Sequence, residues 1–170
     1  MKKILLILTL FACILLTGCS TNFNKTEYKN ITDIKNYQKY DVKVLEFKIR
    51  TQGKTYETSD VYIRVAFLTL EELNEFKTTP LETVNNLDDY PMEFIIFEAN
   101  SKVLNENNFY TEVAVGDVIS LWICKYTELG NTYPYIASVS KASKVYLSTE
   151  MGLQGIAGYL DEHKSPFFQQ

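Results

Sequence analysis

The stretch VISLWICKYTELGNTYPYIASVSK, residues 118–141, predicts two long strands joined by a tight turn. Its two halves are rich in β-branched and aromatic residues, and Gly130-Asn131 between them suits a two-residue hairpin turn. With the turn centred there, three pairs of side chains oppose each other on one face: Tyr126 with Tyr135, Cys124 with Ala137, and Trp122 with Val139. The other face carries four aliphatic residues: Ile119, Leu121, Ile123 and Ile136. Because both faces are largely apolar, we expect this hairpin at the centre of the fold, covered by other elements.

Further strands are predicted on both sides of the hairpin. In DVKVLEFKI, residues 41–49, the alternation slips between Val44 and Leu45, which predicts a bulged strand that lets a sheet curl. The run VYIRVAF, residues 61–67, alternates cleanly and predicts a half-buried strand. MEFIIFEA, residues 92–99, predicts a third strand, and residues 144–148 predict a short sixth one.

Four helices are predicted from local signals. A short one is expected at residues 31–39. Two capping boxes, Thr69 with Glu72 and Thr79 with Glu82, predict helices at about residues 70–77 and 80–87, the second with proline at its first position. The tail from Thr149 predicts a helix with one apolar side: Leu153, Ile156 and Leu160.

Three glycines recur along this last helix: Gly152, Gly155 and Gly158. Their spacing is GxxGxxG, which differs from the GxGxxG fingerprint of dinucleotide-binding folds, and no suitable βαβ unit precedes it. The spacing therefore predicts tight packing of the helix on its neighbours and no cofactor.

The order of elements predicts a mainly β (α+β) domain: a small curled antiparallel sheet or barrel of five to six strands with short inserted helices and a C-terminal helix. The arrangement resembles an OB-fold more than an immunoglobulin sandwich. Such a fold licenses no function by itself, because one fold hosts many activities.

The N-terminus predicts where the protein is sent. Met1-Lys2-Lys3 precedes an apolar run, residues 4–16, which suits a signal peptide and is shorter than a membrane-spanning helix. Leu16-Thr17-Gly18-Cys19 resembles the lipobox of bacterial lipoproteins. That resemblance implies diacylglycerol on the Cys19 sulfur, cleavage between Gly18 and Cys19, and a partner in the lipid bilayer. An ordinary secretory signal with a chance cysteine is the alternative.

We therefore expect three parts: a signal peptide at residues 1–18, a flexible lipid-anchored tether at residues 19–30 and one globular mainly β domain at residues 31–170. Two or more acyl chains hold a protein stably on a membrane. The expected location is the extracytoplasmic side of a bacterial membrane, either the cell membrane or an outer membrane.

Composition excludes several function classes. Loss of residues 1–18 removes two lysines from the 17 basic residues, which leaves 15 basic against 21 acidic side chains. This acidic balance argues against a nucleic-acid partner, which requires a basic footprint. With Cys13 removed and Cys19 lipidated, Cys124 is the one cysteine left for the domain, and its apolar surroundings predict a buried thiol.

Sequence motifs for catalysis are missing. There is no GxSxG elbow, HExxH pair, CxxC pair or phosphate-binding glycine loop, so neither a metal nor a cofactor is predicted. His163, the lone histidine, stands in a charged stretch near the C-terminus. Paired acids at residues 71–72 and 88–89 would serve glycoside hydrolysis only if the fold placed two carboxylates across a bond.

Twelve tyrosines are the unusual feature of the composition. Three of them gather at the hairpin and form the candidate binding surface: Tyr126, Tyr133 and Tyr135. Tyrosine suits recognition surfaces, but it is also a good strand former, so a structural role for these residues stays open. The leading hypothesis is a non-catalytic binding or adaptor lipoprotein for an envelope protein or ligand. The alternatives are a cell-wall-active enzyme that uses carboxylates brought together by the fold, and a structural or protective lipoprotein.

Overall fold

The computed structural model describes residues 25–128 and 131–162, and the side chains of residues 29–125 and 135–162. The strands are β1 (Gln38–Ile49), β2 (Val61–Phe67), β3 (Met92–Ile96), β4 (Val118–Glu128), β5 (Asn131–Lys141) and β6 (Lys144–Leu147). The α-helices are α1 (Lys25–Thr32), α2 (Leu70–Phe76), α3 (Glu98–Glu106), α4 (Phe109–Glu112) and α5 (Thr149–Glu162), with 3-10 turns at Ile34–Asn36 and Leu87–Asp89. No helix within these residues is long and apolar enough to cross a membrane.

The strands close into a barrel, which confirms the predicted fold class. The sheet runs in the order β3-β2-β1-β4-β5-β6, and a parallel bridge between Ile95 of β3 and Tyr135 of β5 joins the third strand to the fifth. Strands β1 to β5 thus form a five-stranded mixed barrel of OB-like topology, with α3 and α4 inserted between β3 and β4. Strand β6 extends the sheet beyond the barrel by pairing with β5.

The bulge predicted in β1 is confirmed. Val44 pairs with Val65 and Glu46 pairs with Arg64, so Leu45 is the extra residue on the bulged strand. Before the bulge β1 also pairs with β4, from Gln38 opposite Ile123 onward. The bulge therefore lies where β1 bends between its pairing with β4 and its pairing with β2, as barrel closure requires.

The predicted pairing register of the central hairpin is wrong by two residues. Cys124 lies opposite Tyr135 instead of Ala137, because pairing ends with Glu128 opposite Asn131. A bulge then reduces the difference to one residue: the partner changes from Ile136 at Ile123 to Ser138 at Trp122, which leaves Ala137 unpaired. One extra residue reverses the phase of β5, and Val139 consequently points into the barrel.

The two faces of the hairpin belong to two separate apolar clusters, as its sequence indicates. The barrel interior contains Ile119, Leu121, Ile123 and Ile136 among its buried residues. A second cluster lies outside the barrel, where α1 and α5 cover β4 and β5; its buried members are Ile31, Tyr37, Phe97, Cys124, Tyr135, Ala137, Ile156 and Leu160. The expected covering elements are therefore present.

The C-terminal helix packs tightly on the barrel, as its glycine spacing predicts. A Cβ atom at Gly152 would stand 1.8 Å from the Ala137 carbonyl oxygen, and one at Gly155 would stand 2.0 Å from Asn100 Oδ1. The Asn100 amide also donates to the Gly152 carbonyl at 3.2 Å. The absence of side chains at these two positions lets α5 approach β5 and α3.

The other predicted helices have mixed outcomes. Helix α2 begins after Thr69, whose Oγ1 accepts from the Glu72 amide as in the predicted capping box. The helix predicted at residues 80–87 is absent: the Asn74 side chain binds both the amide and the carbonyl of Leu81 at 2.8 Å, which holds that segment in an irregular conformation. The single helix predicted at residues 31–39 is absent: α1 ends at Thr32, a 3-10 turn follows at Ile34–Asn36, and β1 begins at Gln38. Helix α1 itself begins inside the segment predicted as tether.

Candidate functional site

A cleft of about 440 Å³ opens where α3 and α5 meet the ends of β1 and β2. Arg50 directly follows β1 and Asp60 directly precedes β2, so these two residues bracket the connection between the strands. The first turn of α3 and one flank of α5 supply the other walls, with Phe97, Glu98, Ala99, Lys102, Gln154, Gly155, Gly158, Tyr159 and Glu162.

Asp60 organises one wall of the cleft. Its Oδ2 accepts from Arg50 Nη1 at 3.0 Å, and its Oδ1 accepts from the Glu98 amide at 2.9 Å. Phe97 occupies the cap position of α3 and has no side-chain oxygen, so the carboxylate of Asp60, which lies just before β2, caps the helix instead. The hydrogen bond to Asp60 raises the pKa of the Arg50 guanidinium, which remains charged. A fixed cation therefore stands at the cleft.

An aromatic pair supports the cleft from below. The rings of Phe97 and Tyr159 stack with centroids 3.8 Å apart and planes 14° from parallel. Phe97 is buried, whereas Tyr159 is half-buried. Burial, together with the nearby Asp60 carboxylate, raises the pKa of the Tyr159 phenol, so this group stays neutral at physiological pH. The pair gives the cleft a rigid apolar support that ends in a hydroxyl group.

Small residues keep the cleft open. A Cβ atom at Gly158 would meet nothing within 4 Å, so the space beside α5 is free at that point. The rim carries exposed groups of both signs and an amide: Glu98, Lys102, Gln154 and Glu162. Hydrogen-bond donors and acceptors thus surround an apolar support, an arrangement that suits a ligand with mixed polar groups.

No group of three histidine, cysteine or acidic residues in the described part of the chain is arranged to hold a metal ion. Three of the four paired acids proposed from the sequence have structural partners. Glu72 belongs to the capping box of α2, and Asp88 forms an ion pair with Lys43 at 2.5 Å. Asp89 accepts from the Asn86 side chain at 3.4 Å. These acids lie outside the cleft, whose carboxylates come from Asp60, Glu98 and Glu162.

The candidate tyrosines of the hairpin are placed only in part. Tyr126 and Tyr133 pair in the backbone, but their side chains lie outside the described residues. Tyr135 is buried, with its ring 5.8 Å from that of Phe97. It therefore lies in the second apolar cluster and is not exposed to a ligand. A binding surface at Tyr126 and Tyr133 stays a prediction.

Other sequence predictions concern cysteines and the chain ends. Cys124 is buried, and burial raises its pKa to about 11, so the thiol is protonated at physiological pH. The predicted signal peptide at residues 1–18, the predicted lipid attachment residue Cys19 and the lone His163 all lie outside the described residues.

Sequence reasoning missed most residues of the cleft, because four separate segments of chain build it. One signal was available: the spacing of Gly155 and Gly158 places both on one flank of a helix. Comparison of the chain with models of protein families, with curated protein sequences and with solved structures finds no match.

Proposed function

We propose that this protein is a non-catalytic binding or adaptor module, lipid-anchored through Cys19 on the extracytoplasmic side of a bacterial membrane. Its cleft binds an envelope ligand or a segment of an envelope protein. The lipobox supports the anchor. The single observation that supports binding is the open cleft, in which the Arg50–Asp60 ion pair and the Phe97–Tyr159 stack lie beside an unfilled space at Gly158.

The position of the cleft in the barrel agrees with this proposal. OB-folds bind ligands with the face of their second and third strands and with two loops, one of which joins the first strand to the second. Arg50 and Asp60 stand at the two ends of that connection here. The agreement is an analogy between folds, so the proposal depends on an experiment at the cleft itself.

The anchor is tested by labelling cells with radioactive palmitate. We expect label on the wild-type protein, no label on Cys19→Ala, and full label on Cys124→Ala, whose cysteine lies in the folded domain. Label that survives Cys19→Ala would contradict the proposed attachment site.

Binding is tested by placing a photo-crosslinking amino acid in the cleft of the full-length protein in cells. Gln154 lines the cleft and is exposed. Glu150 is an exposed residue on the same helix that does not line the cleft, and it serves as the matched control. We expect a discrete crosslinked product from position 154 and none from position 150. Equal products from both positions, or none from position 154, would contradict the proposal.

A second pair of variants shows whether the cleft must be open. Gly158→Trp fills the space beside α5, whereas Gly158→Ala adds only one methyl group where nothing stands within 4 Å. The tryptophan variant should lose the crosslinked product and the alanine variant should keep it. If the filled cleft still gives the product, binding occurs elsewhere on the molecule.

The enzyme hypothesis retains one supporting observation, because three carboxylates line the same cleft. Both oxygens of Asp60 already accept hydrogen bonds, from Arg50 and from the Glu98 amide, which leaves Glu98 and Glu162 as the pair for acid–base chemistry. The test is release of soluble fragments from purified cell-wall material. Release that disappears in both Glu98→Gln and Glu162→Gln would favour an enzyme over a binding module.

A further inference from the structure

The chain between the expected anchor and the barrel is shorter than its sequence predicts, because α1 is part of the folded domain. Ile31 is fully buried in the second apolar cluster, and its carbonyl accepts from Tyr37 Oη at 2.7 Å. The Asn36 side chain donates to the Asn30 carbonyl at 2.8 Å. Helix α1 also packs against α5 and β4. These contacts fix the chain to the barrel.

This docking limits how far the domain stands from the membrane. Six residue steps separate Cys19 from Lys25, where α1 begins. At about 3.5 Å for each step, the fully extended segment spans roughly 21 Å. The tether expected from the sequence, residues 19–30, would span about twice that distance. The start of α1 therefore lies near the lipid headgroups whenever Cys19 is in the membrane.

Charge is distributed unevenly between this end of the domain and the rest. Residues 25–39 contain four lysines and two acidic residues, whereas residues 40–170 contain 11 basic and 19 acidic residues. Of the four lysines, Lys29, Lys35 and Lys39 are exposed. An anionic lipid surface attracts the basic end and repels the acidic remainder over a distance of about 10 Å.

We propose that residues 25–39, comprising α1, the following 3-10 turn and the first two residues of β1, form a basic membrane-facing surface that rests on anionic phospholipid headgroups. The inference builds on the lipid anchor at Cys19 proposed above and adds a second, electrostatic contact. The two acyl chains implied at Cys19 already hold the protein on the membrane, and the basic surface fixes how the domain lies on the headgroups. The partner of this surface is the bilayer itself.

Trp122, the single tryptophan of the sequence, is a built-in probe for the test. It packs against the second apolar cluster and pairs in the sheet with Lys39, one of the residues of the proposed surface. The full-length lipoprotein is reconstituted into phosphatidylcholine vesicles that contain phosphatidylglycerol and a dansyl-labelled headgroup lipid. Energy transfer from Trp122 to dansyl then reports how close this side of the domain lies to the lipid surface.

The short tether alone would keep Trp122 near the lipid, so the charge is tested in a variant with a long glycine-serine insertion before α1. We expect energy transfer to persist in this variant and to be lost when Lys29→Glu and Lys35→Glu are added. The matched control, Lys48→Glu with Lys54→Glu, makes the same charge change at exposed positions of β1 and the β1–β2 loop and should keep the transfer. Urea unfolding verifies that the variants are folded.

The outcomes separate this inference from the proposed anchor. Flotation of wild-type protein with the vesicles reports the anchor, and protein that does not float overturns the anchor and the membrane-facing surface together. If the protein floats but transfer is equal in the two charge variants, the anchor stands and the basic surface is refuted. Transfer from the variant with the long insertion that persists in vesicles without phosphatidylglycerol would also refute it, because the proposed anionic partner is then absent.

Discussion

Replacement of Gly152 by alanine is expected to loosen α5 from the barrel, whereas the same replacement at Gly158 should stabilise the protein. Both glycines lie in the same helix, so both substitutions gain about 1 kcal/mol of helix propensity. Their surroundings differ. The Gly152 Cβ would stand 1.8 Å from the Ala137 carbonyl oxygen, and the Gly158 Cβ would meet nothing within 4 Å.

The magnitude follows from what α5 buries. A methyl group at position 152 reaches an ordinary contact distance of about 3.5 Å only if the helix moves away from β5 by roughly 1.7 Å. Ile156 and Leu160 are 0% and 2% exposed, and full burial of such side chains is worth about 1.5–3 kcal/mol each. Losing half of the burial of these two side chains costs about 1.5–3 kcal/mol. After the gain in propensity of about 1 kcal/mol, Gly152→Ala should destabilise the protein by about 0.5–2 kcal/mol.

Urea unfolding followed by circular dichroism and by Trp122 fluorescence measures both variants. The free energies of unfolding of Gly152→Ala and Gly158→Ala should differ by about 1.5–3 kcal/mol, with wild type between them. Gly155→Ala offers an internal check, because its obstacle is the Asn100 side chain. Adding Asn100→Ala should recover part of the stability that Gly155→Ala loses. Equal stability of the 152 and 158 variants would refute the close approach of α5 to β5.

Three further predictions concern other parts of the molecule. Asn74→Ala removes two hydrogen bonds to Leu81 and should lower the free energy of unfolding by about 1–3 kcal/mol in urea titrations. An unchanged free energy would mean that the Asn74 side chain does not hold the segment around Leu81. Cys124 should resist maleimide at neutral pH in the folded protein and react after unfolding, because burial raises the pKa of its thiol to about 11. Mass spectrometry measures the label, and rapid labelling of Cys124 in the folded protein would contradict its burial. Hydrogen bonding to Lys144 lowers the pKa of Glu112 in the folded protein. The contribution of this carboxylate to stability is therefore present above the unfolded pKa of about 4.3 and is lost as the pH falls below that value. Glu112→Gln should reduce the loss of stability at acidic pH in urea titrations, and an unchanged loss would exclude the pairing with Lys144.

The strands were predictable where the local pattern and the final environment agree. Strand β2 has the bounds that its alternation predicts, because Val61, Ile63, Val65 and Phe67 all face the barrel interior. The slip at Leu45 likewise predicted the bulge that bends β1. In both cases one face is buried and the other half-exposed, so a period of two is visible in the residue types.

Hydrogen bonds between residues far apart in the sequence explain the helix predictions that were wrong. The capping box at Thr79 predicts a helix, but Asn74 binds the backbone of Leu81 and the helix does not form. Conversely, α3 begins at Glu98 because Asp60, 38 residues earlier, accepts from its amide, and no local residue signals that start. The candidate site has the same origin: its walls come from segments that meet only in the folded barrel.

The bulge at Ala137 also constrains how this sequence can change over evolutionary time. The unpaired residue turns its carbonyl toward α5, and the missing side chain at Gly152 provides the room for it. Deleting Ala137 would return β5 to regular pairing and would remove the carbonyl that faces Gly152. In divergent members of the lineage, we therefore expect a larger residue at the position of Gly152 to occur together with a one-residue deletion in β5, and neither change to persist alone.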